Sequence, residues 1–476
     1  MKKIFLFFLC STALQVFGTD HVVSSIDEAN KMLNNAKAND KIILKAGVYK
    51  DAVIKFNNNE IAFVAEQGGK VFFEGNSTLS FSGKKIIIDG FVWQKGGKGL
   101  QTQSVIEFRY NKQDAHYSIL KNCVIDDYNT SDYNEDNKWI SVYGTYNTVT
   151  NCAVKNKYNR GATVVVWLDG TTEAHHTISY NYFLNRQNGP NVDNGLESLR
   201  IGTSQTSFTP AHCVVVFNVF EDCDGEVEII SNKSCFNSYI HNTFLNSSGG
   251  LTLRHGNNCL VDGNFFDGTK KPEAYGVRFI GEGHVAINNY FYALNGAPKN
   301  AFRAPVTLVN GLVNTPLNGY YQVKRAAVDH NIFVNCEIPV IRVGAFSKRE
   351  GMTLAPDSFV IQNNIIINET GKVNEVYEEK STPTNFTIQN NSLVGKFSNQ
   401  KQKGFQLYET KSFKRNGFEY VTDANDKIIT SIDSKASLMN YLNVGGNEVH
   451  IDLQVEFEKR KFTVLSAKDV GPVWSR

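Results

Sequence analysis

A short pattern recurs along most of the chain: a β-rich run, then asparagine, then apolar residues. Ten copies align on their asparagines, at positions 122, 151, 181, 218, 242, 264, 289, 331, 364 and 391. The shortest spacings, from 218 to 242, to 264 and to 289, are 24, 22 and 25 residues, and the longer ones are expected where loops are inserted. Short β runs at this period are typical of a parallel β-helix, whose stacked coils bury a continuous apolar column. We therefore predict an all-β parallel β-helix.

The repeated asparagine has a structural explanation in such a fold. Asparagine tolerates the left-handed backbone that a tight turn needs, and stacked asparagine side chains can form hydrogen-bonded ladders. The regular leucine positions of a leucine-rich repeat are absent, as are the longer units with an aromatic–aspartate signature of a β-propeller. The absence of both patterns favours the β-helix over those two repeat folds.

The two ends of a solenoid need covering, and the chain has candidate segments for both. Residues 19–40 are predicted to cap one end, partly as a helix around Ile26 to Ala36. Residues 396–476 lose the asparagine pattern and are predicted to form the C-terminal cap region. Because no linker divides the chain, residues 19–476 are predicted to be a single domain.

The first 18 residues have the pattern of a signal peptide. Lys2 and Lys3 precede an apolar run from Ile4 to Phe17, and Gly18 offers a small residue for cleavage. The apolar run is too short to span a bilayer comfortably. We expect an exported protein without a membrane span, located in the periplasm or outside the cell.

Composition and charge narrow the possible partners. The 476 residues are 41% hydrophobic and carry a formal net charge of only +2, so no overall basic field points to nucleic acid. Eight cysteines become seven without Cys10, an odd number that does not resemble a disulfide framework. Attraction for an anionic substrate would have to come from a local cluster of charges.

One such cluster is predicted in the middle of the chain. Several polar side chains fall at similar distances after their repeat asparagines, and adjacent coils stack about 4.8 Å apart. These side chains should therefore be within reach of one another on one face. They are Asn194, Glu197, Glu226, Glu228, Lys233, Arg254, His255 and Arg278.

The two carboxylates nearest each other need a positive partner. Glu226 and Glu228 are two residues apart, so on an extended strand they point the same way. With Asn194 nearby they offer the hard oxygen ligands that Ca²⁺ prefers. Ion pairs with Lys233 and Arg254 would neutralise them equally well, and the spacing leaves both arrangements open.

The combination suits β-elimination in a polysaccharide of uronic acids. Removing the C5 proton of a uronate builds negative charge on its carboxylate, which a nearby cation stabilises. The reaction also needs a base for this proton and an acid for the departing O4 oxygen. Lys233 can act as the base if its pKa is lowered, and Arg254 can donate a hydrogen bond or a proton.

At these residues the chain resembles polysaccharide lyase family six, which contains alginate lyases and chondroitinase B on a right-handed parallel β-helix. The resemblance covers nearly the whole chain after the predicted signal peptide. The family often has Asn-Gly-Gly-Glu where this chain has Asn-Gly-Leu-Glu. The matching segments run from Asn194 to Ser204, Glu226 to Ser234, Leu253 to Gly256 and Gly276 to His284, with Asn288 to Phe291 and Asp469 to Trp474.

The resemblance implies specific roles at these positions. Lys233 would be the Brønsted base and Arg254 the Brønsted acid. Asn194, Glu226 and Glu228 would bind Ca²⁺, and the ion would neutralise the carboxylate of the substrate. The substrate would be an anionic polysaccharide, most simply alginate.

Further residues are candidates for contact with the substrate. The resemblance places Glu197, His255 and Arg278 near it. Other arginines recur in similar sequence contexts, where they would either line additional subsites or be solvated charges at the edge of a sheet. They are Arg200, Arg303 and Arg342.

Three alternatives remain. Dermatan sulfate also offers a suitable uronate and would need the same chemistry. A β-helix galacturonide hydrolase would need a close pair of aspartates as acid and base, and none is evident in this region. A glycan-binding solenoid without activity is possible on the fold alone, but it would not need Lys233 and Arg254 together.

Overall fold

The computed structural model describes residues 18–97, 104–189, 194–269, 271–296, 302–373, 375–399, 402–408, 412–415, 418–421 and 464–475. Nearly all of the predicted signal peptide, residues 1–17, lies outside this range. The described residues form three long sheets, each of 14 strands, in which the principal neighbours are parallel. Each typical coil contributes one strand to each sheet in turn, so the predicted parallel β-helix is confirmed.

Sheet I carries the strand that precedes each repeat asparagine. Its strands are β1 (Asp20–Val23), β2 (Lys41–Leu44), β5 (Ala62–Ala65), β8 (Ile87–Asp89), β13 (Ile119–Lys121), β16 (Thr148–Thr150), β19 (Thr177–Ser179), β22 (Val214–Val216), β25 (Ser238–Ile240), β28 (Leu260–Asp262), β31 (Val285–Ile287), β34 (Ala327–Asp329), β37 (Val360–Gln362) and β40 (Thr387–Gln389).

Sheet II follows the asparagine turn. Its strands are β3 (Gly47–Lys50), β6 (Val71–Gly75), β9 (Phe91–Gly96), β14 (Val124–Asp126), β17 (Ala153–Lys155), β20 (Tyr182–Leu184), β23 (Val219–Glu221), β26 (Thr243–Leu245), β29 (Phe265–Asp267), β32 (Tyr290–Tyr292), β35 (Ile332–Val334), β38 (Ile365–Asn368), β41 (Asn391–Gly395) and β42 (Phe405–Leu407).

Sheet III carries the candidate site on its outer face. Its strands are β4 (Val53–Asn59), β7 (Thr78–Lys84), β10 (Ile106–Glu107), β11 (Arg109–Tyr110), β12 (Gln113–His116), β15 (Ile140–Val142), β18 (Val164–Val166), β21 (Leu199–Gly202), β24 (Glu228–Lys233), β27 (Gly250–His255), β30 (Val277–Phe279), β33 (Val306–Val309), β36 (Ile341–Ala345) and β39 (Tyr377–Glu379). A separate antiparallel pair consists of β43 (Ser412–Arg415) and β44 (Phe418–Val421).

An asparagine ladder joins the coils at the turn between sheets I and II. In each step, the side-chain Oδ1 accepts hydrogen bonds from the backbone N–H and the Nδ2 of the asparagine one coil earlier, at 2.8–3.0 Å. All members are at most 2% exposed, so these bonds satisfy polar groups that water does not reach. The members are Asn181, Asn218, Asn242, Asn264, Asn289, Asn331, Asn364 and Asn391.

The first two repeat asparagines have a different role from the others. Asn122 and Asn151 occupy the left-handed turn position, with φ of 52° and 51°. In the next coil that position belongs to Tyr180, and the ladder residue follows it. The ladder position after Asn151 is therefore Cys152, whose backbone N–H donates to Asn181 at 2.9 Å. Left-handed backbone and ladder bonding thus belong to consecutive residues, whereas the sequence pattern assigned both to one asparagine.

The N-terminal helix forms where the sequence predicted it. Helix α1 (Ile26–Asn35) starts at Ser25, whose hydroxyl accepts the Glu28 N–H at 3.2 Å. Its Asn30 side chain bonds the backbone of β4 at both Val53 and Lys55, so the helix covers the first strand of sheet III. Strand β1, within the predicted cap, already belongs to sheet I.

The end of the chain lies along the solenoid wall. Strand β42 extends sheet II, but the segment from Leu465 onward returns to earlier coils. The Leu465 N–H donates to Thr243 Oγ1 at 3.1 Å, the Gly471 N–H donates to Tyr180 O at 2.8 Å, and Trp474 Nε1 donates to Asn122 O at 2.8 Å. Residues 464–475 of the predicted C-terminal cap region therefore run back over the turn between sheets I and II, while residues 422–463 lie outside the described range.

Two short 3₁₀ helices complete the described secondary structure, Ser204–Thr206 and Val473–Ser475. Among the described helices, none combines the length and apolar character needed to cross a membrane.

Replacing a ladder asparagine should destabilise the fold markedly. Asn264→Ala leaves the backbone N–H and Nδ2 of Asn242 without their acceptor, which we expect to lower the free energy of unfolding by about 2–4 kcal/mol. Thermal and urea unfolding measure the change. Asn35→Ala, which removes an exposed side chain bonded only within α1, is the control and should have little effect. Equal midpoints for the two variants would contradict the role of the ladder.

Candidate functional site

The strand pair β24–β27 is irregular at both ends. The pairing skips Ile229, next to Glu228, and skips Arg254, between Leu253 and His255, so that His255 pairs with Lys233. No other described strand pair has two such register shifts. A bulge bends its strand and redirects the neighbouring side chains, and bulges are common beside active sites. Here the two bulges flank the residues predicted to carry the chemistry.

The outer face of sheet III presents a continuous row of polar side chains, which we call the arginine row. Its members pair in register from one coil to the next. Arg278, which the spacing placed on this face, therefore shares it with Arg200 and Arg342. The row consists of Arg200, Ser231, Thr252, Arg278, Thr307 and Arg342.

Three carboxylates are buried beside this row. Glu197, Glu226 and Glu228 are 1%, 7% and 9% exposed. Burial, followed by the negative charges of Glu197 and Glu228, raises the pKa of Glu226 to about 10. Neither oxygen of Glu197 accepts a hydrogen bond from the described residues. Without a further cation, Glu226 therefore keeps its proton at neutral pH, because the cluster cannot hold three ionised carboxylates.

The ion pairs of this cluster differ from the simplest sequence-based arrangement. Glu228 pairs with Arg278 and accepts a hydrogen bond from Ser231. Lys233 Nζ lies 3.6 Å from Glu197 Oε1. The carboxylate partner of Lys233 is therefore the buried Glu197. In the sequence, Glu226 and Glu228 were the candidates for this ion pair.

The predicted calcium ligands offer oxygen donors, the chemistry that Ca²⁺ prefers. Glu226 and Glu228 are buried, and Glu228 pairs with Arg278. The two buried carboxylate oxygens without hydrogen bonds belong to Glu197, which was not a predicted ligand. The predicted third ligand, Asn194, is exposed, and no hydrogen bond or ion pair between described residues joins it to the carboxylates. In the described part of the chain, no three side chains of His, Cys, Asp or Glu are arranged to hold a metal. The predicted ligands are a different kind of set, because one of the three is the amide of Asn194.

Arg254 is held by a loop that arrives from two coils further along. Its Nη1 donates to Gly319 O at 2.7 Å and its Nη2 to Asn318 O at 3.0 Å. The guanidinium also lies 4.3 Å from the centre of the Tyr320 ring. Burial lowers the pKa of Arg254, and the charge of Arg278 lowers it further. Both effects make it easier for this arginine to give up a proton.

His255 is a neutral neighbour of both candidate catalytic groups. Its Nδ1 lies 3.4 Å from Arg254 Nη1, and its Nε2 lies 3.3 Å from Ser204 Oγ. Burial, together with the charges of Arg254 and Lys233, lowers its pKa to about 3. An uncharged imidazole can hydrogen-bond a sugar hydroxyl but adds no positive charge to the site.

Arg342 lies at a distance from this centre and has its own partner. It is 4% exposed and pairs with Glu378, which also pairs with Lys380. It is not a solvated edge charge. Its contact with a substrate remains a prediction.

Several residues of the site carry no sequence signal of their own. Asn318, Gly319 and Tyr320 belong to the long interval between two repeat asparagines, which the sequence identified only as an inserted loop. Ser204 follows Arg200 within a segment that the resemblance covered, but its contact with His255 spans 51 residues. Contacts of this kind arise from stacking of coils and could not be inferred from a local pattern.

The chain matches a known protein family over most of its length. The family model described as chondroitinase B matches residues 23–435. The chain belongs to the chondroitinase B family, polysaccharide lyase family 6. No curated protein matches the chain in a sequence comparison.

Solved structures with the same fold include several members of family 6. The structure of "PL6 family alginate lyase AlyGC" is 30% identical, with a TM-score of 0.81, and the match covers 96% of this chain and 59% of that one. The family 6 lyase Pedsa3628 from Pseudopedobacter saltans is 27% identical, with a TM-score of 0.70 over 96% of this chain and 100% of the other. A "mannuronic acid specific" family 6 lyase from human gut microbiota, at 23% identity and a TM-score of 0.71, matches over 93% of this chain and 99% of the other and supports the fold alone. This chain thus spans a little over half the length of AlyGC.

Neutralising one of the buried carboxylates should stabilise the protein when no metal is bound. Glu226→Gln keeps the shape of the side chain but removes a carboxyl group that has to take up a proton when folding buries it beside Glu197 and Glu228 at neutral pH. We expect the free energy of unfolding in the presence of a chelator to rise on the order of 1–3 kcal/mol, measured by thermal or urea unfolding. The exposed substitution Glu350→Gln should change nothing. A less stable Glu226→Gln variant would show that the carboxylate is already compensated.

Proposed function

We propose that this chain is an exported, calcium-assisted polysaccharide lyase that cleaves alginate by β-elimination, with Lys233 as base and Arg254 as acid. One observation carries the proposal: at the bulge of β24–β27, Lys233 pairs with His255, the residue directly after Arg254, and lies 3.6 Å from the buried carboxylate of Glu197. A glycan-binding solenoid would have no need for this arrangement.

The reaction moves one proton from the substrate to Lys233 and one from Arg254 to the leaving oxygen. Lys233, in its neutral form, takes the C5 proton of the uronate. The electrons of the C5–H bond form the C4–C5 double bond, and the C4–O4 bond breaks. Arg254 donates a proton or a strong hydrogen bond to the departing O4. The products are a chain with a new hydroxyl end and a chain that begins with an unsaturated uronate.

The surroundings of Arg254 support its role as the acid. Burial and nearby positive charge lower its pKa, while the carbonyls of Asn318 and Gly319 fix the orientation of the guanidinium. A positioned group avoids the entropy loss of being oriented during the reaction. His255, held neutral, is suited to hydrogen-bonding a hydroxyl of the same sugar.

The proposed metal would act on the substrate carboxylate. Asn194, Glu226 and Glu228 would hold Ca²⁺, which when bound supplies positive charge to the carboxylate on which charge develops. Arg278 holds Glu228 in place from the next coil but one. Glu197, predicted to lie near the substrate, would act there through Lys233, whose Nζ is 3.6 Å from its Oε1.

Dermatan sulfate is the second candidate substrate. The family model is described by an enzyme named for chondroitin, whereas the solved relative at 30% identity is described as an alginate lyase. The second comparison favours alginate, and both substrates require the same base and acid.

The decisive measurement is the ultraviolet absorbance of the unsaturated uronate. We expect alginate to give rising absorbance with the unmodified protein, and Lys233→Ala to lose at least about 10²-fold in rate. Lys372→Ala, which removes an exposed lysine paired with Glu337, should retain full activity. Activity on dermatan sulfate alone would overturn the substrate, and no absorbance on either polysaccharide would overturn the lyase.

The same assay tests the metal. Chelator should lower the rate, and calcium should restore it. Calcium should also raise the unfolding temperature of the unmodified protein but not that of Glu226→Gln. Full activity after exhaustive chelation would remove calcium from the proposal while leaving the base and acid in place.

The loop that holds Arg254 gives a separate prediction. Tyr320→Ala removes the ring packed on the guanidinium, so we expect kcat to fall about tenfold with little change in KM, because only the orientation of the acid is lost. Tyr320→Phe keeps the ring and should retain most of the activity. Steady-state kinetics on alginate distinguish the variants, and equal kcat values would show that the carbonyl contacts alone orient Arg254.

A further inference from the structure

Two aromatic rings lie on the outer face of sheet III, on the N-terminal side of the candidate site. The rings of Tyr143 and Trp167 are stacked, with centroids 5.9 Å apart and planes 10° from parallel. Both side chains are partly exposed, whereas Val142 and Val166, which precede them, are in the core. Trp167 Nε1 donates to Ser141 Oγ at 3.0 Å, which fixes the ring. We call these two rings the aromatic platform.

The platform is aligned with Lys233 along the solenoid axis. Trp167 follows Val166, which pairs with Ile201, and the next residue, Gly202, pairs with Lys233. Trp167 is therefore two coils, or about 10 Å, from Lys233. Gly202, between them, is buried and adds no side chain to the row. A Cβ there would lie 2.5 Å from the carbonyl oxygen of Lys233, 2.9 Å from Thr206 Oγ1 and 3.2 Å from Leu168 Cδ1.

Positive charge surrounds the platform. The guanidinium of Arg200 lies 5.4 Å from the centre of the Trp167 ring. The Nε of Arg200 has no hydrogen-bond partner in the described chain, and its ion contact, with Glu197, is at 3.9 Å. Lys138 lies 5.9 Å from Trp167, and Arg109, paired with Asp114, lies 3.7 Å from the Tyr143 ring. Arg200 is the cation with the most unused bonding capacity.

We propose that Trp167, Tyr143 and Arg200 form a distal subsite that binds a uronate residue of the polysaccharide away from the scissile bond. The sugar packs its C–H face on the exposed part of the platform, and its carboxylate binds Arg200. This inference deepens the proposed function, since it assigns a place to another part of the same substrate chain.

Acidic groups lie on both sides of the platform. On the side of Lys233 the acidic contact of Arg200 is Glu197, at 3.9 Å, which is 1% exposed. On the other side, Glu107 occupies the same outer row as Ser141, one coil further from Lys233. Burial raises the pKa of Glu107, which favours its neutral form. Asp114 is engaged by Arg109. The carboxylate of a sugar over Trp167 therefore meets Arg200, whose own carboxylate contact is buried.

Binding to a protein that cannot turn over its substrate tests the subsite separately from the reaction. In the Lys233→Ala background, calorimetry with alginate oligosaccharides of increasing length should show affinity that rises once the sugar chain reaches the platform. Adding Trp167→Ala should weaken the longer oligosaccharides about tenfold and leave the shortest unchanged. Trp167→Phe should keep most of the affinity, because a ring remains.

Two controls separate stacking from charge and from other aromatic surfaces. Arg200→Gln should weaken the long acidic oligosaccharide but not its carboxyl-reduced counterpart, and it serves as the second test if Trp167→Ala does not fold. Tyr117→Ala removes an exposed ring that stacks on Tyr146. Tyr117 lies in the turn between β12 of sheet III and β13 of sheet I, away from the platform, so this substitution should have no effect.

The outcomes are distinct. Unchanged affinity in a folded Trp167→Ala variant, or a loss equal for short and long oligosaccharides, overturns the subsite. A loss caused by Tyr117→Ala in place of Trp167→Ala places the polysaccharide on another face and overturns it as well. If the unmodified protein shows no lyase activity but the length-dependent affinity still depends on Trp167, the subsite stands and the proposed reaction fails.

Discussion

The register between coils is the constraint on which the rest of the structure depends. A parallel strand can slide along its neighbour unless something fixes it, and a slip of one residue would turn every outward side chain inward. The buried asparagine ladder prevents this, because each Oδ1 bonds both the backbone and the side chain of the previous coil. With register fixed, residues 22–50 positions apart in sequence become neighbours. The contact of Glu228 with Arg278 is one example.

The same register creates an electrostatic problem at the site. Stacked coils bring Glu197, Glu226 and Glu228 together at buried positions, where Arg278 pairs with Glu228, and Lys233 and Arg200 lie within 4 Å of Glu197. A buried acid without a partner is costly, as the raised pKa of Glu226 shows. A scaffold that needed only stability would hold apolar residues here. The carboxylates make sense if the cluster has a ligand of its own, which links this local instability to the proposed function.

Much of this could be predicted from the sequence because the fold is repetitive. The period of the asparagine pattern gave the architecture, and the distances from each asparagine placed Lys233, Arg254, His255 and Arg278 on one face. The ladder position was wrong by one residue at Asn122 and Asn151, which occupy the left-handed turn position, since a pattern cannot tell a left-handed asparagine from a ladder asparagine. The bulges at Ile229 and Arg254 could not be predicted either, because they depend on how the two strands pair in space. The loop over Arg254 was out of reach for a further reason: its contacts are through backbone carbonyls, which leave no mark on residue identity.

The bulge at Arg254 explains why a regular solenoid can hold an irregular site. In an unbroken parallel pair, side chains alternate in and out, and adjacent residues such as Arg254 and His255 would face opposite sides. Skipping Arg254 in the pairing breaks this alternation locally, so that His255 pairs with Lys233 while Arg254 remains beside it. Three different functional groups then approach one point, which the coil spacing alone would not allow. The coils on either side keep their regular pairing, and they can therefore present Trp167 on one side and Arg278 on the other at fixed distances from that point. Regular coils determine where the substrate chain would lie, and the bulge determines where it would be cut.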